Sequence, residues 1–538
     1  MIYYFSGTGN SYQVAKLLAY LTQDKMQDIS TVKDYKHDDS VMGFVFPVHC
    51  YDVLDLMQDF IKKLDIKSDK KIYCYAVVTC GGKVGNTFIT MQDLLKAKNI
   101  DLAYRNEVYL PDNILSFWGK KYNYNLLNTY KDKVLKIAEE LGFKTVNLDH
   151  YCGYAEMGEG EEIVGIAGHL DIVPVGGDWT YDPFKLTRDG DHVYGRGTTD
   201  DKGPVLEALY AMKLLRDSGV KLNKRVRLIM GCNEETGSKC MEHYNEVAEE
   251  LSCGFTPDAN FPCIHGEKGH MSMTAYSKNT QIISMNGGFV SNAVCDTCTT
   301  VIPTETGLKE KLEASLAETK LQQYRVTEEN GQITIFAKGV PAHASMPELG
   351  VNAAGVTFEC MEKAGFEDDF VKFYNEHIGM SCDGAGVGLK FEDEYGALTL
   401  CNGIVKTEDG IISCTIDIRV PVTLKAADVR TMCEARLEDE NGRIEIGEIG
   451  DPLFFPRESP LVNALYKAYV DVTGDTEHEP MVIGGGTYAK SLKNIIAFGS
   501  EKLGMDYHIH SADEFILVSE MEEAVLIYME AIKNLLAI

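Results

Sequence analysis

Short apolar runs alternate with amphipathic stretches over the first hundred residues. Residues 2–5 (IYYF) read as a strand, and Val14, Leu17, Leu18 and Leu21 fall on one face of a following helix. The alternation continues with VMGFVFPV (41–48) as a strand and a helix near Leu54–Leu64. KIYCYAVVTCGG (71–82) is then a strand and loop, with a helix near Thr87–Lys98 after it. Strand followed by helix, repeated, predicts a doubly wound parallel sheet. Residues 114–130 turn aromatic and Asn-rich without periodicity and read as a junction. YKDKVLKIAEELGF (130–143) then predicts an amphipathic helix through Val134, Ile137, Ala138 and Leu141 that stops at Gly142.

The pattern changes beyond residue 145. TVNLDHYCGYAEMGEG (145–160) gives short strands and a turn, and Ile163, Val164, Ile166 and Ala167 form a run suited to a buried strand. His169 and Asp171 follow, two apart, so on extended backbone their side chains share a face. Asp200 lies in the Gly-rich turn YGRGTTDDKGP (194–204). The segment Gly203–Ser218 reads as a helix whose apolar face is Leu206, Leu209, Tyr210, Leu214 and Leu215. In RVRLIMGCNEETGS (225–238) a strand ends on adjacent Glu234 and Glu235, which on an extended segment point to opposite sides. One of them can hold a metal while the other faces a water. Asp258 sits in a loop between Pro257 and Ala259. MSMTAYS, QITIFAKG, GALTLCNGI and ISCTIDIRVP supply further strands. VIGGGTYAKSL (482–492) is a Gly-rich turn into a helix, and in MDYHIHSADEF (505–515) His508 and His510, two apart, face one way on a strand. A histidine and carboxylates at strand ends, beside glycines that admit close backbone approach, suit a hard or borderline divalent ion.

Composition narrows the function. The chain has 538 residues, enough for about two to four domains, and 45% hydrophobic residues, enough for proper cores. A net charge of −29 speaks against a nucleic-acid partner, which its phosphates would repel. No run of 18 apolar residues exists, so no membrane span is expected, and MIYYFSGTGNS lacks the basic and apolar regions of a signal peptide. Fifteen scattered cysteines without a framework fit a reducing cytoplasm. The lone CxxC of Cys295 and Cys298 reads as structural.

The first loop carries its own chemistry. Ser6, Gly7, Thr8, Gly9, Asn10 and Ser11 lie between a strand and a helix, where N–H groups, hydroxyls and the helix N-terminus can hold a phosphate. With no lysine in it, this is not a Walker A loop. FSGTGNS, FVFPVHCYDV and VVTCGGKVGNT resemble the strand-end loops of a flavodoxin-like domain, most closely the flavodoxin halves of flavodoxin–ferredoxin fusions, over about residues 1–115. The resemblance implies FMN, with Ser6, Thr8, Gly9, Asn10 and Ser11 around its phosphate. No CxxCxxCxxxCP cluster follows, so no ferredoxin half is expected.

From about residue 131 to 538 the chain is similar to the dinuclear-zinc aminoacylase/carboxypeptidase superfamily, above all its dipeptidase V branch (Xaa-His dipeptidase-like). The matching pieces are GHLDIVPVGGDW, YGRGTTDDKGP, NEETGS, TPDANFP, HGEKG, GVPAHASMPELGVNA, DIRVPV, GGGTYAK and HSADEF. The resemblance implies two zinc ions per chain, with cobalt or manganese acceptable to the same ligands. His169, Asp200 and Asp258 would hold one ion; Asp200, Glu235 and His510 would hold the other, His510 being preferred to His508. Asp171 would orient His169, Glu234 would be the general base, and the Asp200–Asp201 peptide would be cis. His343 would bind the oxyanion from an inserted lid, Asn292 and Arg419 would hold the substrate backbone and its carboxylate, and the turn at Gly485, Gly486 and Thr487 would offer backbone donors.

The expected architecture is α/β: a flavodoxin-like domain (1–115), a catalytic domain in two parts (116–268 and 453–538) and an α+β lid (269–452). Family members carry an N-terminal segment before the helix near Tyr130, and here a flavodoxin-like domain takes its place. The expected activity is hydrolysis of dipeptides, Xaa-His or broader, in the cytoplasm, with no nucleic-acid or membrane partner and no oligomeric state specified. The alternative is a flavodoxin-type FMN redox protein with an inactive peptidase-like half.

Overall fold

The computed structural model describes residues 1–6, 10–33, 35–49, 52–67, 70–80, 87–109 and 124–538. Contacts divide the chain into two compact units, Met1–Cys253 with Ser500–Leu536, and Gly254–Gly499 with the last two residues.

The first unit begins with β1 (Ile2–Tyr4), α1 (Asn10–Thr22), β2 (Met26–Asp28), β3 (Val41–His49), α2 (Asp55–Lys63), β4 (Tyr73–Cys80), α3 (Thr87–Lys96) and β5 (Leu102–Tyr109). The five strands are parallel and stand in the order β2-β1-β3-β4-β5. Side chains alternate across this sheet. Phe44, Phe46, Ala76 and Val78 pack with Met57, Phe60 and Met91 on one face, while Val45, Tyr75 and Val77 pack with Ile2 and Ala15 on the other. Apolar cover on both faces is what makes these strands read as nearly continuous hydrophobic runs.

A helix α4 (Tyr124–Glu140) follows, then β6 (Lys144–Leu148), β7 (Cys152–Met157), β8 (Ile163–His169), α5 (Lys202–Asp217) and β9 (Arg225–Gly231). Of the predicted 114–130 junction, residues 114–123 lie outside the described residues and the helix is already under way at Tyr124. β8 is parallel to β9 in a register that sets His169 opposite Gly231, and β9 is antiparallel to β7, which pairs with β6. That register carries the two loops that follow, one with Asp171 and one with Glu234 and Glu235, to the same carboxyl edge of the sheet, where open α/β sheets hold their sites.

Two expectations fail in this unit. In α5, Val205, Glu207, Ala208, Leu209, Met212 and Leu215 are buried, but Tyr210 and Leu214 are exposed. The buried stripe is rotated from the predicted one because it follows 205, 208, 209, 212 and 215 at i, i+3, i+4 spacing. His508 and His510 are not on a strand. Both have positive φ, 57° and 60°, in an irregular turn region, a conformation that a period-two reading of alternating residues does not capture.

The second unit is built on an eight-stranded antiparallel sheet. Its order is 323–329, 332–338, 297–303, 284–287, 399–408, 411–420, 269–277 and 442–450. Gly269–Ser277 alternates buried and half-buried positions, so one face meets a core that includes Met273, Ile416, Phe358, Phe370 and Tyr374. The helices Ala353–Ala364 and Asp369–His377 supply the aromatic part of that core. A smaller strand group pairs Gly254–Thr256 with Ile495–Ala497, and flanks Ile264–Glu267 with Leu453–Phe454 and Met481–Ile483.

One buried charge cluster braces the first unit. Arg227 on β9 is 1% exposed, and its guanidinium contacts Glu156 at 2.6 Å, Glu249 at 2.7 Å and the Tyr244 hydroxyl at 2.9 Å. Arg227→Met is expected to destabilise the fold by about 3–5 kcal/mol, because it removes the contact partner of the buried Glu156 carboxylate. Thermal melting followed by circular dichroism should show a large fall in Tm, and Arg227→Lys should recover only part of it, since a point charge cannot serve three partners at once.

Candidate metal centre

β8 delivers His169 to the sheet edge, and two backbone features fix its ring. Its N–H donates to Asp201 Oδ2 at 2.9 Å, and its Nδ1 lies 3.1 Å from the Asp171 carbonyl oxygen. With Nδ1–H donating there, Nε2 points to Asp200, whose Oδ1 is 2.8 Å away. The other oxygen of Asp200 meets a different imidazole, His510 Nε2, also at 2.8 Å, and His510 Nε2 is 3.4 Å from Glu235 Oε1. Ligand atoms of His169, Asp200 and Glu235 lie within 4.8 Å of one another. The Asp200–Asp201 peptide is cis, as the resemblance implies.

These distances test whether the donor set suits a cation. An imidazole lone pair and a carboxylate oxygen repel at such a spacing unless positive charge lies between them. On His510 a proton can supply it. Partial burial works against charge on His510, but its hydrogen bonds to Asp200 and Glu235 push its pKa up to about 10. Burial would raise Asp200; the bonds and charges of His169 and His510 outweigh it and hold the carboxyl well below the usual range. Two imidazoles and two carboxylates that demand positive charge fit a divalent ion of the borderline class.

The loop that bears Asp200 is shaped by a residue the sequence reading did not single out. Glu514 is 1% exposed, and its carboxylate accepts from the N–H groups of Gly197 at 3.0 Å, Thr199 at 3.0 Å and Asp200 at 3.3 Å. Arg196 Nη1 completes the set at 2.6 Å. HSADEF places this acid four residues after His510, but its partners lie more than three hundred residues earlier. At Gly203 a Cβ would stand 2.1 Å from the Thr198 carbonyl oxygen, so only glycine lets α5 start against the same loop.

Asp171 acts on the opposite side of the site. Its carboxylate accepts from the N–H groups of Glu234 at 3.1 Å and Glu235 at 3.2 Å, while its backbone oxygen takes His169. It therefore holds the two-glutamate turn as well as the imidazole. Glu234 and Glu235 are both half-buried there.

The second unit carries the remaining predicted residues. Asp258 is half-buried in the loop after the strand Cys253–Thr256. Ala293 and His343 form an antiparallel bridge, and the Ala344 N–H donates to the Asn292 carbonyl at 2.9 Å, which sets Asn292 beside His343. His343 Nδ1 is 2.8 Å from Ser345 Oγ. Arg419 grips Asp417 with Nε at 2.6 Å and Nη2 at 2.9 Å and donates Nη1 to the Gly484 carbonyl at 3.0 Å. Gly484 packs on Ser345, where a Cβ would lie 2.2 Å from the serine Cβ. Thr487 commits both its N–H, at 3.0 Å, and its hydroxyl, at 2.7 Å, to the buried carboxylate of Glu267. Asn292, His343, Arg419 and the turn Gly484–Thr487, with Gly485 and Gly486 at its centre, thus form one connected surface.

The flavin loop is only partly described. Thr8 and Gly9 lie outside the described residues, Ser6 and Asn10 flank them, and the buried Ser11 hydroxyl is 2.8 Å from Thr79 Oγ1. Among the described residues no helix is long and apolar enough to cross a membrane.

A carboxylate–imidazole cluster able to hold a cation stands at the carboxyl edge of the sheet, and the comparisons identify the family. The description "Peptidase family M20/M25/M40" matches residues 165–534, and the chain belongs to that family. It is 34% identical over 428 residues to "Putative dipeptidase YtjP" of Bacillus subtilis (strain 168), covering 76% of this chain and 90% of that one. It is 33% identical over 427 residues to "Putative dipeptidase SH1171" of Staphylococcus haemolyticus, covering 75% and 89%. Human carnosine dipeptidase 1 is a structural neighbour with a TM-score of 0.48 and 15% identity, covering 79% of this chain and 94% of that one.

Glu514→Gln keeps the volume and removes the charge that four donors share. Purified variant protein is expected to retain its secondary structure by circular dichroism and to lose bound metal, read as ions per chain by elemental mass spectrometry after gel filtration. Full metal content in the variant would show that the loop holds its shape without the carboxylate.

Proposed function

We propose that the site assignments implied by the resemblance hold residue by residue. The chain is a metal-dependent peptidase that hydrolyses dipeptides. In the proposed assignment His169, Asp200 and Asp258 hold one ion, and Asp200, Glu235 and His510 hold the other. The observation that carries it is Asp200, whose two oxygens each meet a different imidazole at 2.8 Å, as a bridging carboxylate requires. Zinc is the proposed ion; when bound, such ions supply Lewis acidity toward water and the scissile carbonyl.

The protein's own groups do the rest. Glu234, held by its backbone to Asp171, takes the proton of the attacking water and returns it to the leaving amine. His343, its Nδ1 fixed by Ser345, offers Nε2 to the oxyanion. Asn292 and Arg419 hold the substrate backbone and its carboxylate, and the Gly485–Gly486 backbone lets the substrate approach. Thr487, spent on Glu267, sets the shape of that turn. The motif order supports the dipeptidase V branch and the reading of 269–452 as a lid. The parallel order β2-β1-β3-β4-β5 matches the 2-1-3-4-5 order of flavodoxin-like sheets and supports that reading of residues 1–115. Visible flavin absorption of the purified protein tests whether FMN accompanies it.

Hydrolysis of a dipeptide panel that includes β-Ala-His should be abolished by a chelator and restored by zinc. Glu234→Ala should lower kcat by roughly 10²–10⁴-fold with metal content unchanged. Activity that survives both treatments would overturn the assignment.

A further inference from the structure

The second unit holds a cation that none of the roles above uses. Asp417 and Arg419 are two apart on one strand and share a face. Asp417, 3% exposed, takes two arms of the Arg419 fork and also lies 3.3 Å from His270 Nε2. The third arm of Arg419 is on the Gly484 carbonyl. The charge of Arg419 is therefore matched at contact, and its geometry is committed to the strand and the Gly-rich turn.

Lys490 is different. It closes the short 3-10 turn Tyr488–Lys490 directly after Gly484–Thr487 and is half-buried. Its Nζ donates to the Lys268 carbonyl, and among the described residues no carboxylate pairs with it at contact. Glu267 is the nearest candidate by charge, but its two oxygens are engaged by the N–H and hydroxyl of Thr487. Gly486 is shaped around the lysine: a Cβ there would lie 3.1 Å from Nζ. Burial lowers the Lys490 pKa, and the field of Glu267 opposes that. An ammonium taken partly out of water with two N–H donors unspent is costly unless an anion arrives to pair with it. It stands on the surface where Gly484 packs on Ser345 and Ser345 holds His343.

We infer that Lys490 is the specificity-determining cation of this surface, receiving the free α-carboxylate of the substrate beside the Gly485–Gly486 turn, with Arg419 locked by Asp417 as the rigid second donor. The inference rests on the dipeptidase reading and deepens it, because it makes a free carboxylate one residue after the scissile bond the feature that is read. Asp417 is spent on Arg419 and His270, and Lys490 meets carboxylate charge only through the longer-range fields of Glu267 and Asp417, which leaves its ammonium open to contact by an anionic ligand.

The test compares L-alanyl-L-alanine with its C-terminal amide on the metal-loaded full chain, as wild type, Lys490→Met and Lys490→Arg. In Lys490→Met, kcat/KM for the acid should fall roughly a hundred-fold, mostly through KM, while that for the amide stays within a few-fold. Lys490→Arg should recover most of the loss. Equal falls for acid and amide, or no fall for either, would overturn the inference and leave Lys490 a structural partner of Glu267. A folding defect would show as a lowered Tm in Lys490→Met, and the preference for acid over amide in Lys490→Arg then decides. If the wild type cleaves neither compound, the peptidase reading fails first. Calorimetric binding of the same pair still decides on Lys490: tighter binding of the acid, lost in Lys490→Met, supports it, and equal binding of acid and amide contradicts it.

Discussion

The buried carboxylate of Glu514 sets the shape of the loop on which the site depends. Three backbone N–H groups from Gly197 to Asp200 and the Arg196 guanidinium converge on it. A carboxylate so far from water is tolerable only with such partners, and the loop in turn has few other ways to satisfy its amides. Gly197, with φ of 84°, supplies the left-handed turn that aims those amides inward. The result is an Asp200 whose two oxygens face opposite ways. Because Glu514 is four residues from His510, the segment that clamps the loop also delivers the second imidazole, so clamp and imidazole are positioned together.

The same economy appears on the other side of the site and in the second unit. Asp171 holds His169 through its carbonyl and both glutamate amides through its carboxylate. Arg419 ties a strand to the Gly-rich turn, Gly484 ties that turn to Ser345, and Ser345 orients His343. In each case one polar group is used to hold another in place. Lys490, without an ion pair among the described residues, is the cation we infer to be available to a substrate.

Much of this was legible from residue order. The parallel strands of the N-terminal sheet follow the apolar runs, and His169, Asp200, Glu235 and His510, each read from its own motif, lie close together. Other features were not legible, for physical reasons. The role of Glu514 depends on hydrogen bonds across more than three hundred residues, which no local pattern reports. His508 and His510 looked like alternating strand positions, yet both sit at positive φ, where the surrounding loop overrides their own preference. The helix after Asp201 has a buried stripe set by its packing partners, so Glu207 is inside and Tyr210 outside, against the hydrophobicity of both. The pairing of Asp417 with Arg419 follows from strand spacing and could have been read from DIRVP.

In the proposed assignment Asp200 would bridge two divalent ions. Anomalous diffraction at the zinc edge from crystals of the zinc-loaded protein measures this directly. Two peaks about 3.5–4 Å apart are predicted, each about 2.0–2.2 Å from a different oxygen of Asp200, with His510 and Glu235 on one of them and His169 on the other. A single peak, or two peaks with Asp200 bound to only one of them, would contradict it.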